Sequence, residues 1–88
     1  MNQRSSTALT NVQTHLSLAR TSQGQAAESH LRAALAALGP LDQADKENLR
    51  KLIAGALRQA WSMAGRNAQI TGALNKLNEL RTAARSAQ

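Results

Sequence analysis

The chain has no cysteine, no phenylalanine and no tyrosine, and its 88 residues include one tryptophan, one proline and five acids. Each shortage excludes something. Without thiols there is no disulfide framework, and no thiolate for zinc or for nucleophilic catalysis. One Val, two Ile and one Trp are almost the whole stock of good strand formers, which rules against an all-β domain. No run approaches 18 apolar residues, so no membrane-spanning helix and no membrane partner are expected. The five glycines are dispersed and form no phosphate-cradling loop. Residues 1–5 carry no apolar segment of the kind a secretory signal needs. The first acid is Glu28, and this acid-poor, hydroxyl-rich start shares the composition of an organellar transit peptide. The periodicity of Ala8, Leu9, Val12, Leu16 and Ala19 favours an ordinary amphipathic helix instead.

What is present is alanine, leucine and positive charge. Eighteen Ala and thirteen Leu stand beside eleven Lys and Arg, and the formal net charge is +6. Leu, Ile and Val together number 16, which falls under the roughly 20% below which highly charged chains tend towards disorder. Alanine's high helix propensity and the regular leucine spacing nevertheless argue for a folded helical chain. A core this small predicts help from a partner or from self-association as a homo-oligomer.

Punctuation divides the chain into four helices, over 6–21, 24–38, 42–64 and 67–86, after a flexible N-terminus at 1–5. Ser22-Gln23-Gly24-Gln25 fits a capping box, with the Ser22 hydroxyl reaching the Gln25 N–H. Gly39-Pro40 ends the second helix through a left-handed cap, and Asp42 caps the third. Gly65 and Asn67 supply the last stop and start. Ala27, Leu31, Ala34, Leu35 and Leu38 share one face of the second helix. On the third, Leu49, Leu52, Ile53, Ala56, Leu57, Ala60, Met63 and Ala64 share an arc. Ile70, Ala73, Leu74, Leu77, Leu80 and Ala84 share one on the fourth. Short connections favour antiparallel neighbours, so the expected fold is all-α: a single small bundle of two consecutive antiparallel helical hairpins.

Catalytic readings find little support. His15 and His30 fall in different helices without a carboxylate at metal spacing, and Asp42, Asp45 and Glu47 suit a helix start. No enzyme activity, metal or cofactor is expected. Binding has more to offer. Eight of the eleven basic residues lie in residues 41–88. Arg50, Lys51, Arg58, Arg66, Arg81 and Arg85 are candidate phosphate contacts, and Trp61, beside Arg50 and Arg58 at the margin of an apolar stripe, is a candidate anchor or stacking group. Asn67, Thr71, Asn75, Asn78 and Thr82 form a neutral hydrogen-bonding ridge on the far side of the fourth helix. Gly55 and Gly72, inside helices on polar arcs, suggest close approach by another chain.

A helix-turn-helix around Gly65 is weighed against a plain hairpin, and the length of the third helix favours the hairpin. The sequence thus points first to a non-enzymatic basic nucleic-acid-binding protein working through the second hairpin. The alternative is a small helical protein-interaction module, such as an adaptor, assembly factor or inhibitor, for an acidic protein partner. Composition also suggests a cytoplasmic protein of bacterial or phage type.

Overall fold

The leucine and alanine spacings generate helices with one apolar face each, and a computed structural model shows how those faces meet. The helices are α1 (Gln3–Thr21), α2 (Gly24–Ala36), α3 (Gln43–Arg58) and α4 (Met63–Ser86). The structure describes residues 3–86, with side chains described from Ser6 to Ala83. Among them there is no strand, and no helix is long and apolar enough to cross a membrane. Helix α1 packs on α2 and α4, and α3 packs on α2 and α4, so each helix touches two others around a shared core. The molecule extends 40 × 20 × 18 Å, about twice as long as it is wide.

The apolar stripe of α1 is buried throughout, at Ala8, Leu9, Val12, Leu16 and Ala19. It meets Leu31 and Ala34 of α2, Leu49, Ile53 and Ala56 of α3, and Ile70, Ala73 and Leu77 of α4 in one cluster. Leu35, Leu52, Leu57, Leu74 and Leu80 lie partly buried at its edge. Each buried Leu or Ile contributes up to about 1.5–3 kcal/mol, with the extended chain as reference. Six of the sixteen clustered residues are alanine, so close helix approach replaces bulk as the means of filling the interior.

Several boundaries differ from the sequence expectation. Helix α1 begins at Gln3 and not at 6; residues 1 and 2 of the expected flexible N-terminus lie outside the described residues. The Ser22 hydroxyl does not reach Gln25. It donates back to the Leu18 carbonyl at 2.7 Å and closes the end of α1. Gln23 takes the N-cap position of α2, and its side chain makes no capping bond. Helix α2 stops at Ala36, and Gly39 is not left-handed; the turn is held by backbone bonds such as Leu38 N–H to Leu35 and Leu41 N–H to Leu38. Asp42 does precede α3, but its side chain makes no capping bond.

The largest correction concerns α3, which ends at Arg58 and not at 64. Residues 59–62 form a turn, with Ser62 N–H donating to Gln59 at 2.9 Å. Helix α4 starts at Met63, and Arg66 N–H donates to the Ser62 carbonyl at 2.9 Å, so Ser62 takes the cap role given to Asn67. Gly65 therefore lies in the first turn of α4. Ala60 and Ala64 favour helix locally, but tertiary contacts of Trp61 and Arg66, described below, override that propensity.

The two helical glycines are explained within the chain. A methyl group at Gly55 would meet the Gln69 side chain at 3.3 Å, and one at Gly72 would meet Leu52 Cδ2 at 3.4 Å. Both mark close approach of α3 and α4 within the chain. The contact at Gly72 is ordinary van der Waals distance, so the helix-propensity gain of alanine is realised there. Gly72→Ala is expected to stabilise the fold by about 0.5–1 kcal/mol. Denaturant unfolding followed by circular dichroism checks this, and a loss of stability would show that the two helices are closer than described.

Candidate interaction site

The α1–α2 and α3–α4 connections lie together at one end of the bundle, and a single side chain joins them. Arg66 is 1% exposed. Its Nη1 donates to the Ala60 carbonyl and its Nη2 to the Ser22 carbonyl, each at 2.7 Å. Those oxygens stand just beyond the C-terminal ends of α3 and α1, where unpaired carbonyls and the helix dipole concentrate negative partial charge. The guanidinium is thus compensated by two helix ends, and among the described residues no carboxylate is within ion-pair distance of it. Its planar fork is what allows one group to serve two carbonyls. Its Nε is buried without a hydrogen-bond partner.

Trp61 lies in the turn held by this clamp. Gly24, the first residue of α2, has φ +53, a backbone conformation that favours glycine. A methyl group there would fall 2.7 Å from Trp61 Cζ3 and 2.8 Å from Cη2, so the indole rests directly on the Gly24 backbone. The rest of the ring faces outward, and Trp61 is 77% exposed; it does not cap the core. Met63 is 52% exposed and Leu18, in the last turn of α1, is 44% exposed. These three are the exposed large apolar side chains of the described chain, and all belong to this end. An open groove of about 420 Å³ runs among Gln23, Gly24, Gln25, Trp61 and Met63, with Ala60 and Arg66 also lining it.

The other residues singled out from sequence are dispersed. Lys51 and Arg58 are exposed, seven residues apart on one face of α3. Arg50 is paired with Glu47 on its own helix, its Nε donating to Oε2 at 3.0 Å and its Nη2 to Oε1. The hydrogen bond from Arg50 holds the Glu47 carboxyl below its ordinary value, and raises Arg50 in turn. Arg81 is half-buried and donates to the Thr10 hydroxyl of α1 at 3.3 Å. The Arg85 side chain lies outside the described residues. Thr71, Asn75, Asn78 and Thr82 are exposed as expected, but Glu79 is exposed among them and places a negative charge in that ridge. Asn67 is half-buried, its Oδ1 enclosed without a partner. Arg66 is the clear departure, a clamp inside the protein where a phosphate contact was expected. With Arg66 buried and Asn67 and Gln69 half-buried, the start of α4 does not present the polar face a base-reading helix needs.

Two features escaped sequence reasoning. His15 and His30 stack across α1 and α2 with ring centroids 6.2 Å apart, a meeting their spacing did not announce. Among the described residues no three His, Cys, Asp or Glu converge on a metal position. The second feature is the polarity of the Trp61 end. Residues 18–27 and 57–70 hold Arg20, Arg58 and Arg66, and the first acid beyond them is Glu28, half-buried one turn into α2. Asp42, Asp45 and Glu47 sit at the opposite end of α3, roughly 20 Å away by helical rise.

If Arg66 ties the two connections, removing it costs two charge-assisted bonds and leaves buried carbonyls unpaired. Arg66→Ala is expected to destabilise the protein by about 3 kcal/mol, and Arg66→Lys to recover only part of that. Urea unfolding of both variants measures it; a change below about 1 kcal/mol in Arg66→Ala would mean that the clamp is incidental.

No family model, curated protein or solved structure matches the chain, and the functional reading rests on Trp61, Arg66 and their surroundings.

Proposed function

We propose that this chain is a non-enzymatic helical interaction module that docks on an acidic protein partner through its Trp61 end. The observation that carries the reading is the gathering of Leu18, Trp61 and Met63, exposed, at the same end as Arg20 and Arg58. Interface cores are enriched in Trp, Met and Arg and depleted of Lys, Asp and Glu, and residues 18–27 and 57–70 have that composition. A tryptophan braced from behind by Gly24 loses little freedom on binding, which suits an anchor residue. Net charge of +6 would speed encounter with an acidic partner.

The bundle that presents this end is read as two consecutive antiparallel hairpins. Supporting that are the short connections, and the packing of α1 on α2 and of α3 on α4. Nucleic acid is the second reading. It is favoured by the shared exposed face of Lys51 and Arg58 and by exposed Trp61, whose ring offers a base a stacking platform. It ranks lower because Arg66 is buried and Arg50, Lys76 and Arg81 have partners within the chain.

The test compares the wild type with Trp61→Ser/Met63→Ser as baits, after nuclease treatment, with solution mass recorded for each. Both substituted residues are exposed, so the variant is expected to fold and to lose a specific acidic protein that the wild type retains. Retention of the same protein by the variant would refute the docking role of this end. Capture that nuclease abolishes, together with oligonucleotide binding that weakens steeply with salt, would establish the nucleic-acid reading instead. A concentration-dependent dimer lost in the variant would make the occupant a second copy.

A further inference from the structure

His15 and His30 are the chain's two histidines, and the fold sets them together where α1 packs on α2. Their ring centroids are 6.2 Å apart and their planes 28° from parallel. Both residues are half-buried, and His15 Nδ1 is enclosed without a hydrogen-bond partner. Among the described residues neither imidazole makes a hydrogen bond or an ion pair. The neighbours of His30 one turn before and after it are Ala26 and Ala33, small and apolar. Two facing imidazoles with an unpaired nitrogen are costly filling for such a seam, and a buried polar atom left without a partner calls for a cause.

We propose that His15 and His30 form a two-imidazole metal site, which takes a transition-metal ion such as Cu2+, Ni2+ or Zn2+ and joins α1 to α2 through it. Metal–nitrogen bonds of about 2.0–2.1 Å put the centroids of two imidazoles on one ion roughly 5–6 Å apart. The observed 6.2 Å stands at the outer edge of that span, and turning the rings about χ2 brings one nitrogen from each to a shared ion. Imidazole suits these three ions, whereas Mg2+ and Ca2+ take oxygen ligands. No acid converges on the pair among the described residues, so water fills the ion's other positions, and the alanines beside His30 leave it room. Nearby cations are turned away from the site. Arg32 lies about 160° round α2 from His30, and Arg20 about 140° round α1 from His15. The site is independent of the docking role proposed above.

The full chain, without a histidine tag, is melted with and without each ion at about 1 mM, with Mg2+ as the control. Cu2+, Ni2+ and Zn2+ are each expected to raise the midpoint by at least about 3 °C, and Mg2+ to leave it unchanged. His15→Gln, His30→Gln and the double variant are melted in the same way, each shift being read against that variant's own metal-free midpoint. Because one ion needs both rings, either single variant is expected to lose the whole shift, and the double variant to lose no more. Electron paramagnetic resonance of the wild type with one equivalent of Cu2+ is expected to show two imidazole nitrogens on the metal, which tests the site without any variant.

No shift with any of the three ions in the wild type would overturn the proposal. So would a shift that one single variant keeps, or losses in the two single variants that add up in the double, since those describe separate surface sites. A Cu2+ spectrum with a single imidazole nitrogen would overturn it as well.

Discussion

The contact on which this structure depends is the pair of bonds from the Arg66 guanidinium to the carbonyls of Ser22 and Ala60. A buried cation without a carboxylate is costly unless its donors are met, and here Nη1 and Nη2 are met by main-chain oxygens at two helix ends while Nε has no partner. The bonds join residues 44 positions apart, and so tie the connection after α1 to the connection after α3. This resolves the difficulty that composition poses. A core in which six of sixteen residues are alanine cannot define the ends of its helices by bulk alone. A fixed polar fork supplies geometric definition there, at the place where four helix termini and two loops must be arranged.

What the clamp positions is more informative than what it stabilises. With α3 ending at Arg58, Met63 leaves the helical register that would have set it on the buried arc, and both Trp61 and Met63 stand exposed. Gly24 then gives the indole a surface to rest against, while leaving most of the ring in water. The same arrangement consumes the one arginine of this end that is buried and leaves Arg20 and Arg58 exposed. Of the acids, Glu28 lies one turn into α2, and the others lie farther off, at the far end of α3 and along α4. An elongated molecule thereby acquires one end that is apolar, aromatic and positive.

Much of the interior was legible in the sequence because helical periodicity leaves little choice. The α1 stripe from Ala8 to Ala19 is buried residue for residue, and so are Leu31, Ile53, Ile70 and Leu77. The end of α3 was not legible. Alanines at 60 and 64 bridge the break with good helix formers, and Ser62 as a helix start is a weaker signal than Gly65 and Asn67. With α4 beginning at Met63, Arg66 falls in line with Ile70, Ala73 and Leu77 on the buried stripe, so its burial can be read from spacing. With the helix begun at 67, Arg66 reads as a surface charge. The stacking of His15 on His30 and the seat of Trp61 on Gly24 depend on which helices adjoin, and no local pattern encodes them.

The docking role proposed above requires contact at the loop end, residues 18–25 and 59–66, and not on the outer faces of α3 and α4. Hydrogen–deuterium exchange of the chain, free and with its captured partner, tests this most directly. The account predicts that added protection is concentrated in the segments around Leu18 to Gln25 and Gln59 to Arg66. Protection running instead along α4 from Thr71 to Thr82, with the loop end unchanged, would contradict it.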